Sequence, residues 1–157
     1  MSADANGPVL IAFDGSPDCR AAVAFAGTLL SGGDAVVLSV WEPLLLQATP
    51  MALSGLAVDP GAVERDEQAV EQATHAIATE GAELARAAGF TAQARWQPGS
   101  GPVADTIIDV AAEIGARLIV TGSRGLGGIK SLLAGSVSDR IMHHARRPVL
   151  IVPRAES

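Results

Sequence analysis

The sequence predicts an α/β fold built around a parallel β-sheet. Residues 9–13, 35–40 and 118–121 form nearly continuous aliphatic runs, which are typical of parallel strands covered on both faces. Ala-rich stretches with helical spacing alternate with these runs along the chain. A length of 157 residues fits one domain of common size, so residues 1–157 are predicted to form a single unit.

Each predicted strand is a short run of β-branched and aliphatic residues. The five strands are predicted at Val9–Phe13, Ala35–Trp41, Thr91–Trp96, Arg117–Thr121 and Pro148–Val152. With one helix in each gap, the order of elements becomes βαβαβαβαβ. Such an alternation favours a sheet in which all strands run parallel.

Local signals mark the ends of the four predicted helices, which are Pro17–Leu30, Val63–Ala88, Val103–Gly115 and Ser136–Ala145. Ser16 is a favourable N-cap, and Pro17 suits the first helical position. Glycines follow the first two helices and end them. Glu64, Asp66 and Glu67 are expected in the first turn of the second helix, where the helix dipole favours negative charge.

Composition argues against nucleic acid and membranes as partners. The chain has 11 Lys and Arg residues against 17 Asp and Glu residues, a net charge of −6 at pH 7. Proteins that bind nucleic acid or anionic lipid usually carry the opposite sign. Aromatic residues make up 3% of the chain and tyrosine is missing, so a stacking surface for single-stranded bases is not expected.

The single cysteine and the hydropathy pattern predict a cytoplasmic protein. Cys19 alone excludes an intramolecular disulfide and a multi-cysteine metal site. No apolar run approaches the roughly 18 residues that cross a bilayer. The first eight residues contain no basic residue and no apolar segment of the kind that forms a secretory signal. We therefore expect no membrane association and no metal site.

A glycine-rich stretch between the fourth strand and the fourth helix carries the strongest functional signal. Residues 122–135 contain five glycines, and Arg124 and Lys130 add positive charge in an otherwise acidic protein. Glycine lets main-chain amides approach a ligand, and the start of a helix offers free amides to an anion. The stretch predicts a phosphate site, and the alternative is a flexible connection without a ligand.

Two common phosphate-binding motifs do not fit this stretch. A P-loop ending at Lys130 would require glycine where Arg124 and Ile129 stand. A dinucleotide fingerprint beginning at Gly125 would meet Lys130 at its third glycine, and it would be expected after the first strand. The stretch therefore matches neither motif.

The spacing Gly122-x2-Gly125-x9-Gly135-Ser136 resembles the motif of ATP-binding members of the universal stress protein family. The resemblance extends to the opening segment 9–16 and to the closing segment 144–153, so it covers nearly the whole chain. It implies a doubly wound domain with helices on both faces and the strand order 3-2-1-4-5. The switch point would then lie between the first and fourth strands.

The resemblance also implies which residues bind the nucleotide: Asp14, Val40, Gly122, Arg124, Gly125, Gly135, Ser136 and Val137. Asp14 would contact the ribose or the adenine, Val40 the adenine, and Gly122 the ribose. The others would contact the phosphates, which would also carry Mg²⁺. From the residues alone, Asp14 has a second interpretation of equal weight, since it could shape the turn into the first helix.

The function implied is that of an ATP-binding stress sensor or regulator. No general base or nucleophile arrangement stands beside the glycine-rich stretch. A slow ATPase or a phosphoryl or nucleotidyl transferase is the alternative, and the pocket could also prefer AMP or a cyclic nucleotide. The number of phosphates is not set by any residue pattern.

Two further segments suggest roles in assembly and movement. An aliphatic last strand, Pro148–Val152, would be exposed at the edge of the sheet unless it were covered. The family pairs its last strands across a two-fold axis, which implies a homodimer here. The long segment Glu42–Pro60 leaves the end of the second strand, where ligands bind, and we expect it to act as a mobile flap.

Overall fold

Five parallel strands form one sheet in the order β3-β2-β1-β4-β5. The computed structural model describes residues 5–43, 54, 55, 57, 59–123 and 136–153. The strands are β1 Val9–Ala12, β2 Gly33–Trp41, β3 Phe90–Pro98, β4 Leu118–Gly122 and β5 Val149–Val152. The helices are α1 Pro17–Leu30, α2 Pro60–Ala87, α3 Val103–Glu113 and α4 Ser136–His144. The predicted fold class, element order and strand order are confirmed.

The second helix begins earlier than its apolar spacing indicated. Asp59 caps α2, because its Oδ1 accepts a hydrogen bond of 3.0 Å from the Gly61 amide, and Pro60 occupies the first helical position. The first turn therefore carries no acidic residue. The prediction that Glu64 and its acidic neighbours lie in that turn was wrong, because the capping pair precedes the apolar pattern by one turn.

Burial of the sheet on both faces produces two hydrophobic cores. Along β1, Val9 and Ile11 face α1 and α2, whereas Leu10 and Ala12 face α3 and α4. Val9, Leu10 and Ile11 have no exposed surface, as expected for a central strand in a doubly wound sheet. The sheet therefore holds helices on both faces, as the resemblance implied.

Glycines allow the helices of one face to approach each other and the sheet closely. A Cβ on Gly81 of α2 would lie 2.7 Å from the Phe13 ring and from Val37 Cγ1. A Cβ on Gly27 of α1 would lie 2.5 Å from the Ala88 carbonyl oxygen. Because the Ala88 carbonyl belongs to the main chain, it cannot move aside as a side chain could.

We predict that Gly27→Ala lowers the free energy of unfolding. The added methyl group would force α1 away from the end of α2, at a cost of about 1–3 kcal/mol. Gly61→Ala is the matched control, because its Cβ would meet only Asp59 Oδ1 at 3.5 Å and alanine favours the helix. Urea unfolding checks both variants, and an unchanged midpoint for Gly27→Ala would contradict the predicted contact.

Candidate functional site

The carboxyl ends of β1 and β4 form the switch point of the sheet. The chain leaves β1 toward β2 on one side, and β4 pairs with β1 on the other. In such sheets the crevice at this edge is where ligands bind. The structure brings three predicted residues to this edge: Asp14 follows β1, Val40 is the penultimate residue of β2, and Gly122 ends β4.

Asp14 shapes the entry into α1. Its Oδ1 accepts a hydrogen bond of 2.9 Å from the Ser16 amide, and Gly15 between them has φ of +79°. The Ser16 hydroxyl then caps α1 by accepting from the Cys19 amide at 3.3 Å. The turn-forming role that the sequence allowed is thus present, and the side chain remains only half-buried.

An apolar surface lies on the α3 and α4 side of this edge. Val40 and Val137 are both half-buried and pack against the same hydrophobic cluster, which includes Leu38 and Ile141. α4 begins at Ser136, so Val137 lies in its first turn. Arg124, Gly125 and Gly135 lie outside the described residues.

Packing against α1 explains why residue 122 is a glycine. A Cβ at this position would lie 2.8 Å from the main-chain carbon of Asp18 and 3.0 Å from the Cys19 amide nitrogen. Glycine is therefore required for the end of β4 to contact the first turn of α1. The sequence pattern predicted this glycine for a ligand contact and did not indicate the contact with the helix.

Ser123, at the start of the glycine-rich stretch, joins three elements. Its amide donates to the Val152 carbonyl of β5 at 3.0 Å, and its hydroxyl donates to Asp18 Oδ2 of α1 at 3.2 Å. Its carbonyl accepts from the Ser138 hydroxyl of α4 at 3.3 Å. Asp18 and Ser138 were missed in the sequence, because acidic and serine residues in a first helical turn are common without a ligand.

Cys19 is a buried thiol. Its exposed fraction is 3%, and burial raises the pKa of the thiol, which donates to the Ser16 carbonyl at 3.1 Å. A protonated, buried sulfur is a poor nucleophile at neutral pH. This environment favours packing as the role of Cys19.

An ion pair fixes α4 against α3. Arg140 donates to both oxygens of Asp105, at 2.6 Å and 2.9 Å, and these hydrogen bonds lower the pKa of the carboxyl group. His143 and His144 at the end of α4 lie within 3.0 Å of main-chain carbonyls one turn earlier. Within the described ranges, no group of three or more His, Cys, Asp or Glu residues is arranged to hold a metal ion.

In the part of the chain that the structure describes, no helix combines the length and the apolar character needed to cross a bilayer.

The fold and the switch-point crevice define a doubly wound α/β protein with a candidate ligand edge. The profile of the universal stress protein family matches residues 6–153, and the chain belongs to that family. A universal stress protein of Bacillus subtilis is 30% identical over 149 residues, covering 92% of this chain and 97% of the relative. One from Mycolicibacterium smegmatis is 32% identical over 148 residues, covering 92% of this chain and 47% of the relative. The chain thus spans about half the length of the mycobacterial relatives it matches.

Solved structures of the family share the fold. A universal stress protein in complex with cAMP has a TM-score of 0.62 and 26% identity, covering 97% of this chain and all of that chain (100%). An Archaeoglobus fulgidus member in complex with dAMP has a TM-score of 0.60 at 20% identity over 93% of this chain and 97% of that one. An Arabidopsis thaliana member with AMP bound has a TM-score of 0.64 at 18% identity over 95% and 92%. The Archaeoglobus and Arabidopsis structures, at 20% and 18% identity, support the fold alone.

We predict that Gly122→Ala destabilises the protein even when no ligand is present. The new methyl group would lie within 2.9 Å of Asp18 Cβ and push β4 away from α1, at a cost of about 1–3 kcal/mol. Thermal unfolding of the free protein measures the effect. An unchanged Tm would show that the end of β4 has room for a side chain and that glycine is needed there for another reason.

Proposed function

We propose that this protein binds an adenine nucleotide at the switch point between β1 and β4 and acts as a nucleotide-responsive stress regulator. The observation that carries the proposal is the convergence of Asp14, Val40 and Gly122 at one sheet edge, with α4 beginning beside them. Membership of the family and the cAMP complex of a 26% identical relative support it.

The two halves of the crevice suit the two halves of a nucleotide. The half-buried Val40 suits an adenine ring, and the half-buried Asp14 carboxylate can accept hydrogen bonds from ribose hydroxyls. The glycine-rich stretch, with Arg124, and the start of α4 supply main-chain amides and positive charge for the phosphates. We propose ATP as the ligand, with Mg²⁺ carried by its phosphates.

The relative bound to cAMP favours a second candidate ligand. A cyclic nucleotide carries a single phosphate joined to the ribose, so it would use the Asp14 side of the crevice more than the glycine-rich stretch. AMP differs from cAMP because its phosphate is joined to the ribose at one position only. The choice among these ligands sets whether the protein responds to ATP supply or to a signalling nucleotide.

We predict that Gly135→Val weakens ATP binding at least tenfold. A valine in the glycine-rich stretch would stand where main-chain amides approach the phosphates, costing at least tenfold in affinity, or about 1.4 kcal/mol. Calorimetric titration with ATP, ADP, AMP and cAMP, each with and without Mg²⁺, measures binding to the wild type and the variant.

Thr91→Val is the control for this titration. Thr91 is exposed near the beginning of β3, at the end of the sheet opposite to the carboxyl ends where Asp14, Val40 and Gly122 lie. Unaltered ATP affinity in Gly135→Val would place the nucleotide elsewhere. Multiple turnovers of ATP hydrolysis per minute by the wild type would favour an enzyme over a regulator.

We also propose a homodimer formed through the edge of β5, in a cytoplasmic protein. β5 is the last strand in the sheet order, and Val149, Leu150 and Ile151 are each half-buried. An aliphatic edge strand left open would promote uncontrolled pairing. The single cysteine, buried and without a disulfide partner, is in keeping with a reducing compartment.

We predict that Ile151→Lys converts the dimer to a monomer. The ammonium group would be buried and unpaired at the centre of a strand-to-strand interface. Sedimentation velocity at micromolar concentration measures the change. Thr91→Lys, on the opposite edge strand, should leave the oligomeric state unchanged. A wild-type monomer well above micromolar concentration would rule out the β5 interface.

A further inference from the structure

Asp18 is a buried carboxylate whose position is not explained by helix capping. Its exposed fraction is 4%, and among the residues that the structure describes it is the only charged residue that is buried. The capping role in α1 belongs to Ser16, whose hydroxyl accepts from the Cys19 amide. An acidic residue in the first turn also favours the helix dipole when it is exposed, so the dipole does not require burial. Burial of this carboxylate is costly, so it calls for another explanation.

The contact with β4 provides that explanation. Because Gly122 has no side chain, the end of β4 lies directly against Asp18, whose Cβ would be 2.9 Å from a Cβ at residue 122. This approach brings the next residue, Ser123, within hydrogen-bond distance, and its hydroxyl donates to Asp18 Oδ2 at 3.2 Å. A hydrogen bond to a carboxylate is stronger than one between neutral groups.

Ser123 is the last described residue at the start of the glycine-rich stretch, and Ser136 is the first residue after it. The bond from the Ser138 hydroxyl to the Ser123 carbonyl joins the two ends of the stretch. Asp18 therefore holds the start of the stretch, at Ser123, against α1. Ser138, which follows the end of the stretch, is hydrogen-bonded to that same starting residue. We call these three residues, Asp18, Ser123 and Ser138, the loop anchor.

We propose that Asp18 is a positioning residue for the phosphates of the nucleotide, acting through Ser123. The inference rests on the proposed nucleotide-binding function and adds a residue outside the family motif. Main-chain amides bind a phosphate well only if the stretch that carries them is already arranged before the ligand arrives. The loop anchor sets where that stretch begins and ends. The adenine contact, Val40, lies on β2, outside the elements that the loop anchor joins.

The test compares ligands with and without phosphates. Asp18→Ala should weaken ATP binding about tenfold, the effect expected when a hydrogen bond to a charged group is lost, and should change adenosine binding less than about twofold. Asp18→Asn keeps an acceptor oxygen and should retain part of the affinity. Calorimetry measures each Kd, and thermal unfolding confirms that each variant is folded.

Ser123→Ala provides a second route to the same answer. It removes the donor while leaving the helix intact, and it should weaken ATP binding to a similar extent. The double variant with Asp18→Ala should be no weaker than either single variant, because both remove the same hydrogen bond. Asp34→Ala is the control, since Asp34 is exposed in β2, near the opposite edge of the sheet.

The possible outcomes separate failure of the positioning role of Asp18 from failure of the proposed nucleotide binding. Wild-type protein that binds neither ATP nor AMP overturns the proposed function and the inference together. Wild-type binding with unchanged ATP affinity in folded Asp18→Ala and Ser123→Ala overturns the inference alone. Equal weakening of ATP and adenosine also overturns it, because a general structural role would affect both ligands alike.

Discussion

Burial of β1 on both faces is the constraint on which the rest of the structure depends. A strand with no exposed side chain needs a sheet neighbour on each edge and a helix layer on each face. With parallel strands, β2 and β3 follow on one side of β1, and β4 and β5 follow on the other side. The switch point at the carboxyl ends of β1 and β4 is the geometric result, and in sheets of this kind it is where ligands bind.

The sequence contained most of the fold. Aliphatic runs and helical periodicity predicted all nine elements, because the buried strands β1, β4 and the middle of β2 have few polar residues to interrupt the pattern. The start of α2 was misplaced, since Asp59 and Pro60 define that end through local hydrogen bonding and ring geometry, which the apolar spacing does not register. The strand order came from family resemblance and not from residue patterns, because nothing local in a strand specifies its neighbour.

The candidate site was less accessible to sequence reasoning. Asp14, Val40 and Gly122 were predicted because strand ends and glycines leave visible marks, and the structure gathers them at one edge. Whether they bind a nucleotide stays a prediction. Asp18 and Ser138 left no mark, because their significance depends on contacts with Ser123 across more than 100 residues in one case and 15 in the other. The expected flap at 42–60 falls largely outside the described residues.

The amide of Ser123 donates to the carbonyl of Val152, so a residue at the start of the glycine-rich stretch also pairs with the edge strand β5. Ser123 is therefore joined by a peptide bond to Gly122, at the candidate ligand edge, and by a hydrogen bond to the strand of the proposed dimer interface. If the chain binds a nucleotide and dimerises as proposed, any coupling between the two events must be equal in both directions. A nucleotide that strengthened dimerisation would then bind the dimer more tightly than the monomer, by the same factor.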